Sequence, residues 1–381
     1  MRLLIYSSPP YSDSDFPLIK ALRECGHEVY YIIRLAPFML KSSILDFGTQ
    51  PSRNGLLAAA EFDTLNRWSD YIDISRSYVS NDAVGKTGVK SFKLFLEELR
   101  LIKRIKPEAV YHIGLPYVFQ LHMLHIHRKN SAVVIHDPMP HTGEDKLRDR
   151  AKRRLLPIVC KHFILLNKRQ VEMFCNYYKV SRDRVTVSSL GPYDCYRRFR
   201  SERKIGGRFI FFWGRLSEYK GIDYAIQAFT LIKDRFPDVR LIIAGAGPVC
   251  FDIEAVSAEP RIEFIHRYLT LEEVADYASQ CLFVVCPYTD ATQSGVIQTA
   301  FAMGAPVVAT DVGNFADVVH SGMNGVIVPP CDSEALAEAF YHLLAGPDVL
   351  GKYRKAIAEE FADGSIVWHR IAEDYTRIHG Q

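Results

Sequence analysis

Two cations five residues apart carry the clearest chemistry in this sequence. In "FFWGRLSEYKGIDYAIQAF" (211–229) an apolar run ends at Gly214, Arg215 follows, and Lys220-Gly221 opens an amphipathic stretch. A helix start presents amide N–H groups without intrahelical partners, and its dipole favours negative charge. Cations beside such a start make an anion site suited to a diphosphate, with two solvated surface charges as the plain alternative. A second start follows the apolar "LFVVCPY", in "TDATQSGVIQTAFAMGAPVVAT" (289–310). There Thr292, Gln293, Ser294 and Gly295 make a polar turn, with Thr292 or Ser294 as the expected cap of a short helix. "LIIAGAGP" has Gly245 and Gly247 but Cys250 where a dinucleotide fingerprint needs its third glycine. It reads instead as a tight turn that lets a ligand approach the backbone. "GKTG" (85–88) imitates a P-loop, but Ser80 stands where the earlier glycine is required.

Other candidates lie in the first half. "VVIHDPMPHTGE" (133–144) puts His136 and Asp137 at a strand end, with His141 and Glu144 close behind. A neutral imidazole there suits a hydrogen bond to a ligand hydroxyl, with Asp137 fixing its tautomer. Asp13-Ser14-Asp15 spells an Asp-x-Asp metal motif, but it precedes the first helix, where carboxylates favour a capping role. Binding of ligand hydroxyls by Asp13 is the alternative. No metal is expected: the eight cysteines are scattered, and Cys281 and Cys286, the nearest pair, lack ligand spacing. "KLRDRAKRRLLPIVC" (146–160) gathers six cations among apolar residues. It fits a solvated helix face or a contact with anionic lipid headgroups.

Alternating elements must position these residues. "MRLLIYSS" is a strand, "FPLIKALRECGHEVYYII" a helix, a stop at Gly26 and a strand, and "LFLEELRLIKRIKPEAVYHIG" repeats the pattern. "SAVVIHDP", "HFILLNK" and "RVTVSS" continue it, whereas 42–90 shows no clear periodicity. A basic, polar stretch, "YRRFRSERKIGGR" (196–208), reads as a linker, after which the alternation restarts. The pattern predicts an α/β chain of two doubly wound domains facing a cleft, with ligands beyond the strand C-termini. The expected divisions are 1–200, 201–363, and a last helix, 364–381. The net charge of +3 gives no case for nucleic acid. The N-terminus lacks a signal-peptide pattern, and no run approaches the roughly 20 apolar residues of a membrane span. Scattered thiols fit a reducing cytoplasm.

Taken in order, "GRLSEYKGIDYAIQAF", "LIIAGAGP", "LTLEEVADYASQCLFVVCPY", "GAPVVATDVGNFADVV" and "SGMNGVIVPPCDSEALAEAF" resemble the retaining GT-B glycosyltransferases of family 4 (glycosyl transferases group 1). The resemblance covers about 209–345; the first half matches more weakly, through strand order, "VVIHDP" and "VTVSSLGP". It implies that Arg215 and Lys220 hold the donor diphosphate, near Gly214 and Gly245, and that Arg267, Tyr268 and Leu269 lie near the nucleobase. Gln293, Ser294, Gly295 and Val296 would meet sugar hydroxyls and phosphate, His136 would sit near the transferred sugar, and the last helix would cross back to the first domain.

The family's two glutamates, eight positions apart, fall here on Ala291 and Thr299. The resemblance then implies that Thr299 offers the ribose one hydroxyl, and Asp290 replaces the first carboxylate. It predicts a cytoplasmic hexosyltransferase, soluble or peripheral on the inner face of the membrane, that needs no cofactor or metal. The donor would be a UDP- or GDP-sugar and the acceptor a glycan or lipid-linked saccharide, in surface polysaccharide or glycoconjugate synthesis. The rivals are a GT-B epimerase or phosphorylase, a nucleotide-sugar-binding subunit with little catalysis, and, more distantly, a Rossmann oxidoreductase.

Overall fold

A computed structural model describes residues 1–83, 88–116, 118–138, 147–346, 348–361 and 364–378. The chain divides into two compact units, 1–191 with 365–381, and 192–364. The first holds eight strands: β1 (Arg2–Ser7), β2 (Glu28–Leu35), β3 (Gly55–Ala58), β4 (Ser77–Asn81), β5 (Ala109–Ile113), β6 (Ser131–Ile135), β7 (His162–Leu165) and β8 (Val185–Val187). Their order across the sheet is β3-β4-β2-β1-β5-β6-β7-β8. The second holds β9 (Arg208–Trp213), β10 (Val239–Ala244), β11 (Ile262–Ile265), β12 (Phe283–Cys286), β13 (Val307–Thr310) and β14 (Gly325–Val328), in the order β11-β10-β9-β12-β13-β14.

All described pairings are parallel except β3 with β4. Parallel strands covered on both faces read as unbroken apolar runs. Accordingly β5, β6 and β12 are buried at every position. The unread segment supplies β3, four residues that pair through Leu57 opposite Val79. Its short "GLLA" carries little periodicity. It is held from outside, by Leu56 N donating to Glu97 Oε2 (2.9 Å) and by Asn81 Nδ2 donating to the Pro51 and Arg53 carbonyls.

The stretch expected as a linker is structured. Asp194–Phe199 is a 3-10 turn with Cys195 and Tyr196 buried. Arg197 donates to the Ala302 and Phe361 carbonyls within the second unit. The division therefore falls at 191/192 rather than 200/201, because packing captures these residues despite their polar sequence. The last helix, Gly364–Arg377, belongs to the first unit from Ser365 onward. There Tyr111 Oη donates to the Tyr375 carbonyl (2.7 Å), and Trp368 and Tyr375 are buried. In each sheet the strand order reverses beside the first strand of the unit, at β1 and at β9. The C-terminal edge at such a reversal is where doubly wound sheets bind ligands.

Candidate functional site

In the second unit that edge is made by the loops after β9, β10 and β12. Gly214 leaves β9 with φ +139° and donates its N–H to the Ala244 carbonyl (3.0 Å); Leu216 N donates to Ala246 O (2.9 Å). The β9 and β10 loops are thus laced together, with the Gly245 Cα directly against the Gly214 carbonyl. Arg215 is exposed. A 3-10 turn, Glu218–Lys220, then leads through Gly221 (φ +61°) into the helix Ile222–Ile232. A Cβ on Gly221 would stand 2.0 Å from the Pro287 carbonyl oxygen, and Thr289 N donates to Tyr219 O (2.8 Å). The cationic turn is therefore fastened to the loop after β12.

Lys220 is half-buried, its Nζ 3.7 Å from the ring centroid of Tyr288 and 5.2 Å from that of Tyr219. Burial holds its ammonium down to about 7, with Arg215 adding a lesser like-charge effect and the Cys286 thiol acting in the opposite sense. A diphosphate brought here would restore the charged form, since an anion within contact distance favours it.

Opposite lies the helix Gly295–Ala302, with Ser294 at its N-cap. The Ser294 side chain makes no capping hydrogen bond, which departs from the expected role for Ser294 or Thr292. The approach to the helix is anchored elsewhere: Asn314 N donates to Thr292 O (3.1 Å), and Gly313 (φ +54°) packs against the Ala291 carbonyl. Asp290 is exposed; Gln293, Gly295 and Val296 are half-buried. Thr299 is 3% exposed and donates its hydroxyl hydrogen to Gly295 O at 2.9 Å. The expected free hydroxyl is therefore committed to the helix, because a threonine inside a helix readily bonds back to the carbonyl four residues before it.

Arg267, Tyr268 and Leu269 follow β11, at the edge of the same sheet. The Arg267 fork is engaged by Glu273, at 2.6 and 2.7 Å, and this pairing holds the Glu273 carboxyl down to about 2. Glu273 also completes a capping box with Thr270 at the start of Leu271–Gln280. The Tyr268 ring is 63% exposed, and Arg267, though paired with Glu273, is exposed as well.

In the first unit the sheet edge carries His136, whose ring packs on Tyr11 (centroids 4.5 Å apart, 32° between planes). Burial lowers its imidazole to about 4, and Asp137 opposes this more weakly. Arg153 fixes the following backbone by donating to the Asp137 and Pro138 carbonyls (2.9 and 2.8 Å). Asp13 and Asp15 lie inside the first turn of the helix Ser12–Glu24; its N-cap is Tyr11 and carries no side-chain cap bond. The helix begins before the two aspartates, so neither caps it. His141 and Glu144 lie outside the described residues, as do Gly85–Thr87 and Lys146. Among the described residues no three His, Cys, Asp or Glu side chains are placed to hold a metal, and no helix is long and apolar enough to cross a membrane.

The fold thus brings Gly214, Arg215, Lys220, Gly245 and the 290–299 loop to one sheet edge. Sequence reasoning missed Tyr288, Tyr219 and Tyr11, the aromatic partners of Lys220 and His136. Their only signal was an aromatic residue beside each candidate loop, which spacing does not distinguish from core.

This architecture is the GT-B fold. Residues 207–346, within the second unit, match the family model described as Glycosyl transferases group 1. Among individual relatives, alpha-D-kanosaminyltransferase of Streptomyces kanamyceticus is 29% identical over 157 residues, spanning 40% of this chain and 39% of that protein. The match thus covers well under two thirds of the relative's length. Sucrose-phosphate synthase from Thermosynechococcus elongatus superposes with a TM-score of 0.67 at 16% identity, over 100% of this chain and 98% of the other. The Anabaena Alr3699/HepE structure in complex with UDP-glucose gives 0.62 at 14% identity, over 98% of each chain. At these identities the structural likeness establishes the fold.

Proposed function

We propose that this protein is a retaining glycosyltransferase that moves a hexosyl unit from a nucleotide-diphosphate sugar to a glycan or lipid-linked saccharide. The observation that carries this is that Arg215 and Lys220, after β9, and the start of the helix Gly295–Ala302, after β12, share one sheet edge at the strand-order reversal of a group 1 domain. Bond cleavage at the anomeric carbon leaves negative charge on the departing diphosphate. Preorganised cations and amides stabilise charge as it develops. Arg215 and Lys220 supply the positive charge that a metal would otherwise bring, which supports a metal-independent reaction. Same-face attack assisted by the leaving phosphate needs no protein nucleophile.

On the first unit, neutral His136 is assigned to a hydroxyl of the sugar or acceptor, with Asp137 beside it; Asp13 is the further acceptor-side candidate. Cations on the helix Leu147–Val159, together with exposed Leu155 and Ile158, support peripheral association with an anionic membrane. The role proposed is in surface polysaccharide or glycoconjugate synthesis.

A thermal-shift screen of UDP, GDP, ADP and their sugars identifies the donor, because a native-state ligand raises apparent stability. Donor hydrolysis and transfer are then measured in EDTA. Arg215→Ala should lower kcat/KM by about 10²- to 10³-fold with the fold intact. Unchanged turnover in Arg215→Ala would refute the assignment.

A further inference from the structure

We propose that Tyr288 is a positioning residue for Lys220: its ring face fixes where the ammonium stands at the sheet edge and thereby sets how strongly this edge holds a diphosphate. The proposal rests on the diphosphate role of Lys220 given above. Tyr288 is 1% exposed and follows β12 by two residues, where its place is fixed from three sides. Thr310 Oγ1 on β13 donates to the Tyr288 carbonyl (2.5 Å), and Phe315 packs edge-on to the ring with centroids 5.3 Å apart. Tyr219 stands nearly perpendicular to it at 6.2 Å. The ring cannot swing away without disturbing β13 and the loop that follows it.

The ammonium approaches this fixed ring to 3.7 Å from its centroid, inside the roughly 6 Å range of a cation–π contact. Among the described residues, the ionisable groups that act on Lys220 are Cys286 from β12 and Arg215 from the β9 loop, and the two tyrosines stand against it; Glu218 lies on the same turn. No carboxylate is among the groups that shift Lys220, and the electron-rich face of Tyr288, at 3.7 Å, is a direct support for its charge before a ligand arrives. Burial works against that charge and a diphosphate works for it. Tyr288 keeps the lysine poised between the two, in a place where the Gly221–Pro287 contact allows little adjustment.

Competitive acetylation of Lys220, read by mass spectrometry from about pH 5 to 10, follows its titration without any nucleotide. The wild-type midpoint is expected at about 7. Tyr288→Phe keeps the ring and should keep the midpoint. Tyr288→Leu should lower it by about half a pH unit or more and weaken UDP binding, measured by calorimetry, by about 5- to 30-fold. Should the leucine variant unfold, fluorinated phenylalanines at 288 retain the shape while draining the ring face, and the midpoint should fall with each added fluorine. An unchanged midpoint in folded Tyr288→Leu, or a flat fluorine series, overturns the proposal whether or not UDP binds. A midpoint that shifts as expected in a wild-type background that binds no nucleoside diphosphate upholds the Tyr288–Lys220 coupling and overturns the donor role of Lys220 instead.

Discussion

Asp15 and His136 line one small cavity with Ser14, Trp368 and Tyr375, and each is ionisable with its charge suppressed. Burial pushes the Asp15 carboxyl up to about 8, against hydrogen bonds from Ser7 and Tyr31, the latter at 3.0 Å. Burial lowers His136 to about 4. These shifts predict opposite pH signatures. A raised carboxyl stabilises the fold fully below its unfolded value near 3.8, and the contribution is lost as pH rises through about 8. Asp15→Asn should therefore raise Tm relative to wild type at pH 8 and leave the difference small near pH 4. A lowered imidazole stabilises above 6.5, with the contribution lost as pH falls through about 4. His136 is thus neutral across the range in which an acceptor-side hydrogen bond would be needed. Thermal scans across pH test the aspartate; equal Tm differences at pH 4 and 8 would contradict the assignment. That Asp13 and Asp15 lie at the start of a helix was legible in the sequence, although they fall inside its first turn rather than before it. That one of them carries no charge was not, because burial is a property of the packed unit.

At the scale of elements, the site is an arrangement of loops held by backbone contacts. Gly221 is its tightest point: it combines φ +61° with a position where a Cβ would meet the Pro287 oxygen at 2.0 Å. An alanine there costs about 1–2 kcal/mol for the left-handed conformation alone, and the backbone collision adds to it. We expect Gly221→Ala to lower Tm by at least about 2–4 °C and to impair diphosphate binding, because relief of the clash must move either Lys220 or the β12 loop. Gly26→Ala is the control: its φ is +82° but open space surrounds it, so strain should appear without loss of binding. Calorimetry with UDP on both variants separates the two effects. The helix starts at Gly221 and Ser294 were readable from glycine, polar turn and apolar periodicity. The lacing of the loops was hidden, since residues 70 positions apart, such as Tyr219 and Thr289, leave no local pattern.

For the whole molecule, the chain enters the second unit at Pro192 and returns to the first at Ser365. The returning helix is integral to the first unit: Ser188 Oγ donates to Asp374 Oδ2 (3.2 Å), His369 meets Glu24 at 2.9 Å, and Trp368 lies against Gly191. Trp368→Ala should cost about 3–5 kcal/mol, as large-to-small changes at buried aromatic positions do. The loss should fall on the first unit. Hydrogen exchange should therefore quicken in β1, β5 and β8 and stay unchanged in β9, β10 and β12. Uniform quickening across both units would show that they unfold as one.

The sequence by itself determined the alternation of strands and helices, the two sheets, the paired cations and the group 1 resemblance, because periodicity, glycine stops and cation spacing are all local. Under that resemblance it also put Ala291 and Thr299 where the family has its glutamates, since this needs only the spacing along the chain. Tertiary structure alone decided the rest. It placed Arg215, Lys220 and the Gly295 helix at a single strand-order reversal and drew 192–200 into the second unit. It spent the Thr299 hydroxyl within its own helix and set Tyr288 beneath Lys220. Each of these depends on which distant backbones come within a few ångströms of each other, and burial, hydrogen-bond partners and proton affinity all follow from that proximity.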